Sequence, residues 1–340
     1  MEQDLRKRIE EIIETGAYSQ GKTVTEFERE LANYLGVKAR QVVAVSSGTA
    51  ALHLALQILK LREVTVPACS FISVANMVKL SGCELSYVDV DARTWNAREA
   101  TVGLDLLGNP VDYNPVIEDA AEALGSVRYD GKKCGTLGEI SCLSFFENKI
   151  ITTGGEGGAL ICKDEADADK ARLLRQQGKN RQMLLHRLMG YNYRMTEIQA
   201  AIGIAEFKKI EERVRAKRRI YKQYKETLGD LVMFQEECEG CRSNRWFTAI
   251  QVWQGKKWKV IEALSSAGIY WRNIFAPLYW HAWLPQSRIL RVSEHLYETV
   301  ILLPSFPTMG EEQVAKVCEV VENGIKNFDR GGYRRIKSFS

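Results

Sequence analysis

The sequence predicts an α/β protein with a mostly parallel central sheet, helices on both faces, and a smaller α+β unit at the C-terminus. Short apolar runs alternate with amphipathic helix patterns through the first two thirds of the chain, which is typical of parallel strands joined by crossover helices. A length of 340 residues is enough for one large domain and a smaller one. The composition, 45% hydrophobic and 26% charged, is that of an ordinary globular protein.

The first predicted helix covers residues 25–35. Thr25 and Glu28 have capping-box spacing at its start, and Gly36 follows its end. Buried strands and helices then alternate in chain order: strand 41–45, helix 49–59, strand 64–66, helix 72–80, strand 85–90, strand 102–107 and the apolar strand 115–117 that leads to Asp119.

The second half of the chain begins with the glycine-rich stretch 152–158, which precedes a strand at 159–162. A long helix is predicted over 196–228, and a change of pattern there divides a large domain, 1–225, from a small one, 226–340. The small domain is predicted as a compact α+β unit made of the segment 246–253, a helix at 258–266, a strand at 269–271 and a helix at 311–324, followed by a flexible polar tail at 331–340.

Charge and cysteine content restrict the classes of partner. A net charge of +4 gives no concentrated basic face for nucleic acid, and the basic run 208–219 is interpreted as the solvated side of a helix. Among the eight cysteines only Cys238 and Cys241 have metal-like spacing, and without a second pair they predict a structural turn and no metal. Free thiols, no secretion signal and no apolar run of membrane-spanning length predict a cytoplasmic protein with no membrane partner.

Three positions carry candidate chemistry, and the first is the turn 46–50 between a strand and a helix. Free amides at a helix start beside Gly48 form an anion cradle, to which Ser47 and Thr49 can add hydroxyl donors. The alternative is an ordinary serine cap of the helix. The glycines at 154–158 lack dinucleotide-binding spacing and precede a strand, which disfavours a nicotinamide enzyme.

The second position is Asp119, at the carboxyl end of a predicted strand, where open α/β sheets bind ligands. Its carboxylate can face a protonated pyridine nitrogen and keep that ring an electron sink, or it can only cap the short helix that follows.

The third position is Lys149, which stands between an aromatic strand and an apolar pair. A partly desolvated amine has a lowered pKa, which suits a nucleophile that forms a Schiff base. The alternative is a lysine whose stem lies along the strand end while its ammonium reaches solvent.

Taken together, these positions resemble the DegT/DnrJ/EryC1/StrS sugar aminotransferases, which are fold-type I pyridoxal-phosphate enzymes. The matching pieces, in order along the chain, are Val24-x-x-Phe27-Glu28, the runs 47–56, 66–71 and 118–125, Phe145-Phe-x-x-Lys149, Gly155-Glu-Gly-Gly158, and the runs 190–195, 198–201 and 303–304. Among the branches of the family, the runs 118–125 and 148–155 look most like the perosamine and bacillosamine enzymes, which aminate C4 of a nucleotide-linked 6-deoxy-4-keto sugar.

The resemblance implies the cofactor, the partners and the roles of individual residues. By it, Lys149 binds pyridoxal 5′-phosphate covalently and moves a proton, while Asp119 pairs with the pyridine nitrogen. It also implies a homodimer with shared active sites, glutamate as the amino donor and a nucleotide-linked keto sugar as the acceptor. The resemblance also implies other cofactor contacts: its phosphate at Ser47, Gly48, Thr49 and Ser144, and its ring at Phe71. Glu122, which stands where much of the family has glutamine, is a further cofactor contact. Asn192 is implied to reach the phosphate in the neighbouring subunit, and Ser19, His186 and Arg272 to contact the substrate.

Departures and alternatives remain at this stage. The stretch 91–115 is shorter than the family norm, and the chain starts close to its first predicted helix, as if the family's leading segment were missing. Asn192 can instead cap the following helix, Arg272 can be a surface ion-pair partner, and His186 can lie on a helix surface. A regulatory protein without turnover, and an eliminating or aromatizing enzyme on the same scaffold, are the rival functions.

Overall fold

A computed structural model describes residues 2–179 and 185–326, so the predicted flexible tail at 331–340 lies outside the described residues. Ten α-helices occur within those ranges: α1 (Glu2–Thr15), α2 (Lys22–Leu35), α3 (Gly48–Leu59), α4 (Ile72–Leu80), α5 (Glu165–Leu174), α6 (Glu197–Phe207), α7 (Ile210–Leu228), α8 (Lys257–Ser266), α9 (Arg291–Thr299) and α10 (Glu311–Lys326).

The same ranges contain eleven strands: β1 (Val42–Val45), β2 (Glu63–Pro67), β3 (Glu84–Val88), β4 (Val102–Leu104), β5 (Ile117–Asp119), β6 (Ile140–Ser144), β7 (Gly158–Cys162), β8 (Met233–Phe234), β9 (Thr248–Gln251), β10 (Arg272–Asn273) and β11 (Val300–Leu303). Each strand that the sequence predicted upstream of residue 163 has a counterpart here, with ends that differ by up to three residues.

The central sheet has five strands in the order β1-β7-β6-β5-β4. β5 is parallel to β4 and to β6, whereas β7 is antiparallel to both of its neighbours. β1, β4, β5 and β6 therefore run in one direction and only β7 is reversed. The predicted mostly parallel sheet is confirmed, and the carboxyl ends of its four co-directional strands meet at one edge.

A parallel pair, β2 and β3, extends this layer. The side chain of Thr101, just before β4, bonds to Thr65 of β2: the Thr65 amide donates to Thr101 Oγ1 at 3.1 Å and the Thr101 amide donates to Thr65 Oγ1 at 2.8 Å. Side-chain hydroxyls thus satisfy backbone groups that a continuous ladder would otherwise pair.

The C-terminal part forms a separate antiparallel sheet in the order β10-β11-β9-β8. Helices α8 and α10 pack on it, together with the second half of α7 through Ile220, Tyr224 and Leu228. A smaller α+β unit was predicted here and is observed. Because the first half of α7 packs into the large core through Ile210 and Val214, the domain boundary at 225/226 stays a prediction.

Two predictions about helix ends are wrong. Helix α2 begins at Lys22, three residues before the predicted start, and Thr25 does not cap it; instead the carboxylate of Glu197 accepts hydrogen bonds from the amides of Gly21, Thr23 and Val24 at 2.8–3.0 Å. A carboxylate from α6 therefore supplies the cap at the positive end of the α2 dipole. Glu28, the other half of the predicted capping box, binds Arg175 in a buried ion pair at 2.8 Å.

The long helix predicted over 196–228 is two helices. Thr196 and Gln199 form a capping box at the start of α6, and the chain turns at Lys208 and Lys209 before α7. The turn lets Phe207 pack against Phe27, with ring centroids 5.2 Å apart, while Ile210 remains buried in the same core. Periodicity alone did not reveal this turn, because apolar side chains continue through it.

Polar helices were missed altogether. Helix α1, which precedes the predicted first helix, was not predicted, and neither were α5 and α9. Leu5, Ile9 and Ile12 lie on one face of α1, so its apolar periodicity is present in the sequence and was overlooked. Ile12 is buried in the structure.

The cysteine pair forms the predicted turn and also differs from the prediction of free thiols. The Cys241 amide donates to the Cys238 carbonyl at 2.9 Å, and the two sulfurs form a disulfide with Cα atoms 5.3 Å apart. The turn brings the Cα atoms within the range that a disulfide requires. No helix in the described ranges is both long and apolar enough to cross a membrane.

One member of the basic run is not solvated, contrary to prediction. Lys217 of α7 is 6% exposed, and its ammonium nitrogen donates to the carbonyls of Trp246 and Ser305, both at 2.8 Å. Burial is the main cause that lowers the pKa of Lys217 to about 7. Because the ordinary pKa of lysine is 10.5, the unfolded chain binds more protons than the folded one between about pH 7 and pH 10.

We expect Lys217→Met to remove a pH dependence of stability. Between pH 7 and pH 9 the free energy of unfolding of the native protein should rise by roughly 2 kcal/mol more than that of the variant, because only the native protein carries the buried amine. Urea unfolding at both pH values measures this difference, with Lys208→Met, at an exposed lysine beyond α6, as the control. If the native protein and Lys217→Met differed in free energy of unfolding by the same amount at pH 7 and pH 9, Lys217 would have to be charged in the folded protein.

Candidate active site

Several predicted site residues lie together at the edge where the co-directional strands end. Ser47 follows β1, Asp119 is the last residue of β5, and Ser144 is the last residue of β6. The carboxyl ends of strands are where open α/β sheets bind ligands. The sheet direction therefore brings together residues that are far apart in sequence.

The turn after β1 is shaped as the predicted anion cradle, formed by Ser47, Gly48, Thr49 and Ser144. Ser47 caps α3 by accepting a hydrogen bond from the Ala50 amide at 3.1 Å, so the capping alternative is confirmed, while anion binding stays a prediction. The amides of Gly48 and Thr49 belong to the first turn of α3, where the helix offers no carbonyl acceptor, and they remain available for an anion.

Two glycines give the cradle its close packing. A Cβ on Gly48 would lie 2.9 Å from the Ser144 Cβ, and a Cβ on Gly158 would lie 2.4 Å from the Ser47 carbonyl carbon. Side chains at these positions would push β6 and β7 away from the helix start. The glycine-rich stretch therefore serves close backbone approach beside the cradle.

Lys149 lies on the lysine loop (residues 145–157), which joins β6 to the reversed strand β7. The loop folds back on itself: the Phe145 amide donates to Gly157 at 2.8 Å, the Thr153 amide to Phe145 at 3.1 Å, and the Glu147 amide to Gly155 at 3.1 Å. Since β6 and β7 are antiparallel neighbours, the loop returns to the same sheet edge and keeps Lys149 beside the other candidate residues.

The amine of Lys149 is surrounded by charged groups. Its nitrogen lies 3.7 Å from Glu122 Oε1, and both side chains are largely buried. Burial is the largest influence and lowers the pKa of Lys149, an effect that Arg272 reinforces and that Glu122 and Asp119 oppose. The lysine is not a surface lysine reaching solvent, and the amine has the lowered pKa that was predicted for a nucleophile.

The two carboxyl groups have raised pKa values. Burial is the main cause that raises the pKa of Asp119 to about 6 and that of Glu122 to about 7, while the neighbouring Lys149 lowers both. Asp119 also accepts a hydrogen bond from the Ala121 amide at 3.1 Å, which agrees with its alternative as a local cap. A cationic ring facing Asp119 would offset the cost of its buried charge.

Glu122 is positioned by unusual backbone geometry. Its Oε2 accepts a hydrogen bond from the Leu107 amide at 2.7 Å, and Leu107 has a φ of 58°, in the left-handed region that favours glycine. On the other side, the Asn244 side chain donates to the Glu122 carbonyl at 2.8 Å. Strained residues of this kind persist where the surrounding structure holds them, commonly at functional sites.

Phe71 and Arg272 each lie beside aromatic rings. Phe71 is 51% exposed and its ring centroid lies 5.7 Å from that of Phe275. The Arg272 guanidinium hydrogen bonds to the Tyr270 hydroxyl and lies 5.8 Å from the centroid of the Phe247 ring. The positive charge of Arg272 contributes to the lowered pKa of Lys149, and its role as a substrate contact stays a prediction.

The remaining predicted residues are exposed and not in contact with this cluster in the described chain. Ser19 lies before α2, in the segment that Glu197 holds through Gly21. His186 bonds to the Gln177 carbonyl at 2.8 Å, and Asn192 lies in a segment tied to the cradle through the Ser46 amide, which donates to the carbonyl of Tyr193 at 2.9 Å. Asn192 does not cap α6, since Thr196 does so.

One residue at the amine was missed. The Lys149 nitrogen lies 4.0 Å from the centroid of the Trp246 ring, and the indole N–H of Trp246 donates to the Asn148 carbonyl at 2.8 Å. The sequence analysis placed Trp246 at the start of the segment 246–253 of the small domain, and β9 starts two residues later. A tryptophan after the polar run 242–245 was the signal, but nothing in the sequence connects it to Lys149.

Behind Asp119 lies a second buried carboxyl pair. Asp105, Glu118 and Cys134 bring potential ligand atoms within 4.8 Å of one another. Glu118 already accepts hydrogen bonds from the Gly135 and Leu137 amides and the Ser141 hydroxyl. Burial and the neighbouring Glu118 raise the pKa of Asp105 well above its ordinary range, which favours the protonated form of Asp105.

The donor set fits a phosphorylated pyridine aldehyde. The cradle supplies amides and hydroxyls for a phosphate, Lys149 supplies a buried amine of lowered pKa, and Asp119 supplies a buried carboxylate whose charge lacks a full partner. Each of these groups complements one part of such a molecule.

Comparisons with known proteins agree with this chemistry. A family model described as the DegT/DnrJ/EryC1/StrS aminotransferase family matches residues 1–103 and 113–322. Residues 104–112, which it leaves unmatched, fall within the stretch 91–115 that is expected to be short.

Individual relatives cover most of the chain. The GDP-perosamine synthase of Caulobacter vibrioides is 35% identical over 342 residues, 89% of this chain and 90% of that protein. The GDP-perosamine synthase of Escherichia coli O157:H7 is 33% identical over 332 residues, 89% of this chain and 90% of that protein. The crystal structure of a DegT DnrJ EryC1 StrS aminotransferase from Brucella abortus has a TM-score of 0.88 at 28% identity, covering 95% of this chain and 96% of that one. The fold predicted from the resemblance is confirmed.

We expect Asp119→Asn to change the pH dependence of stability of the cofactor-free protein. The folded pKa of Asp119, about 6, exceeds its ordinary value of 3.8, so its ionisation costs stability as the pH rises between those values. Relative to the native protein, the variant should gain roughly 2–3 kcal/mol in free energy of unfolding from pH 4 to pH 8. Denaturant unfolding across that range measures the gain, and the exposed Asp230→Asn is the control. A gain no larger than that of the control would place Asp119 in contact with water.

Proposed function

The chain belongs to the DegT/DnrJ/EryC1/StrS aminotransferase family, and from that membership we propose that it transfers an amino group to a keto carbon of a nucleotide-linked deoxysugar. The observation that carries this proposal is the buried Lys149 amine, 3.7 Å from Glu122 and at the same sheet edge as Asp119 and the anion cradle. A protein that only bound a ligand would have no need for this buried amine between carboxyl groups.

We propose that the cofactor is pyridoxal 5′-phosphate, bound covalently through Lys149. When bound, this group supplies an electron sink that stabilises a carbanion beside the transferred nitrogen. The Gly48 and Thr49 amides, with the hydroxyls of Ser47, Thr49 and Ser144, hold its phosphate. Phe71 stacks on the ring and Glu122 faces its polar edge.

Two residues handle the protons. Asp119, ionised, holds a proton on the pyridine nitrogen and keeps that ring cationic. The Lys149 nitrogen, with its lowered pKa, accepts a proton from the amino-bearing carbon of the donor and returns one to the carbon that receives the amine. Burial of both groups excludes water from these transfers.

The proposed substrates are glutamate and a nucleotide-linked 6-deoxy-4-keto sugar, with C4 as the aminated carbon. Two curated relatives at 33–35% identity are named GDP-perosamine synthase, which supports this class of acceptor. Arg272 is proposed to bind an anionic substrate group, and Ser19 and His186 to line the approach of the sugar nucleotide. The comparisons do not favour a regulatory role, nor an eliminating or aromatizing reaction.

We also propose a homodimer whose two active sites are shared. Asn192 is exposed and lies apart from Lys149 in its own chain, while its segment is fixed to the cradle through the Ser46 amide. In an isologous dimer this segment can reach the partner's phosphate.

We expect the purified protein to aminate a nucleotide-4-keto sugar with glutamate, and borohydride to fix the cofactor on a peptide that contains Lys149. Lys149→Ala should lose essentially all turnover because no other amine can form the covalent bond, while the exposed Lys208→Ala should remain active. Mass spectrometry of a panel of 4-keto and 3-keto sugar nucleotides identifies the product. Label on a different lysine would refute the assignment, and amination only of 3-keto sugars would refute C4.

We expect two inactive variants to restore activity when co-expressed. Lys149→Ala removes the nucleophile, and Asn192→Asp places a negative charge against the partner's phosphate. A mixed dimer then has one site with both defects and one with neither, so equal co-expression should recover about a quarter of native activity.

The matched control is co-expression of Lys149→Ala with Asp119→Asn. Both residues belong to one chain's site, so their mixed dimer contains no intact site and should show no recovery. The shared-site arrangement is wrong if mixed dimers form without recovery in the first pair, or if Asn192→Asp alone is fully active.

A further inference from the structure

Trp246 reaches the reactive amine from the C-terminal part of the chain. Its side chain is 4% exposed, and its ring centroid lies 4.0 Å from the Lys149 nitrogen. An ammonium within about 6 Å of an indole centroid is attracted by the negative face of the ring, and more strongly where water is excluded.

The ring is fixed in this position from both ends. Its N–H donates to the Asn148 carbonyl, next to Lys149, at 2.8 Å. Its backbone carbonyl accepts a hydrogen bond from Lys217 at 2.8 Å, and its amide donates to Asn244 Oδ1 at 2.9 Å. The preceding residue, Arg245, has a φ of 54°, a left-handed conformation held at the point where the chain directs the indole inward.

The charged groups around Lys149 leave its ammonium incompletely compensated. Glu122 Oε1, at 3.7 Å, is beyond ordinary hydrogen-bond distance. Asp119 attracts the ammonium electrostatically, and Arg272 repels it. The indole face is therefore a further favourable contact available to the charged amine.

We propose that Trp246 is an additional residue of the catalytic centre, which holds the ε-ammonium of Lys149 against its indole face whenever that amine is not bonded to the cofactor. The inference rests on the proposed function, because Lys149 must alternate between a bonded and a free state. In the free state the ring favours the proton that Lys149 returns to a substrate carbon.

A purely structural role would have the opposite effect on Lys149. If the ring only excluded water, its removal would admit solvent and raise the pKa of the amine. If the ring attracts the ammonium, its removal lowers that pKa. The direction in which the pKa of Lys149 changes therefore distinguishes a ring that only excludes water from one that attracts the ammonium.

The test uses the protein loaded with pyridoxamine 5′-phosphate, which has no aldehyde and leaves Lys149 as a free amine. Competitive acetylation over a range of pH, read by peptide mass spectrometry, gives the pKa of Lys149. We expect Trp246→Leu to lower it by roughly 0.5–1.5 units, and Trp246→Phe to lower it by less, because benzene has a weaker negative face than indole. Trp258→Leu, at an exposed tryptophan of α8, is the matched control and should leave it unchanged.

A second measurement keeps the side-chain shape, and so serves even if Trp246→Leu does not fold. Fluorinated tryptophans, incorporated at all seven tryptophan positions, weaken the negative face without changing its size. The pKa of Lys149 should fall with each added fluorine in the native sequence and stay constant in Trp246→Phe. An unchanged or raised pKa in these experiments would overturn the inference, whereas failure of borohydride to label Lys149 would overturn the proposed function instead.

Discussion

The burial of one amine is the constraint on which the rest of the site depends. A buried ammonium must find compensating charge or lose its proton, and Lys149 lies between these limits, with Glu122 at 3.7 Å and Asp119 nearby. The same carboxyl groups are themselves buried and have raised pKa values. The charge of Lys149 thus partly compensates for the burial of each carboxyl group, and each of them for the burial of Lys149, while the charge of Asp119 raises the pKa of Glu122 further.

Much of this site was predictable from the sequence because its chemistry follows local features. A strand that ends in Asp119, a glycine at a helix start and a lysine between apolar runs each indicate one function, and the sheet then places them at one edge. Trp246, Asn244 and Leu107 were not predictable in the same way. Their contacts with Lys149 and Glu122 cross between distant parts of the chain, and a left-handed leucine has no signature in sequence.

The errors in secondary structure have the same origin. Apolar residues on both sides of Lys208 concealed the break between α6 and α7, because residues of both helices pack into the same core. The contacts of Glu28 and Glu197 show that a distant residue can replace a local cap. The expected local cap at Thr25 and Glu28 gave way to a carboxylate from a distant helix, while Glu28 became the partner of a buried arginine.

The reversal of β7 limits how the chain can vary in length. The lysine loop is closed by three backbone hydrogen bonds, so an inserted or deleted residue on either side of Lys149 would shift the amine out of its setting. The family model matches the chain on both sides of residues 104–112 but leaves those residues unmatched. Yet Leu107, one of those residues, supplies the amide that binds Glu122. In this chain a change of length around Leu107 would therefore move the amide that holds Glu122, whereas a change of length in the lysine loop would move the amine itself.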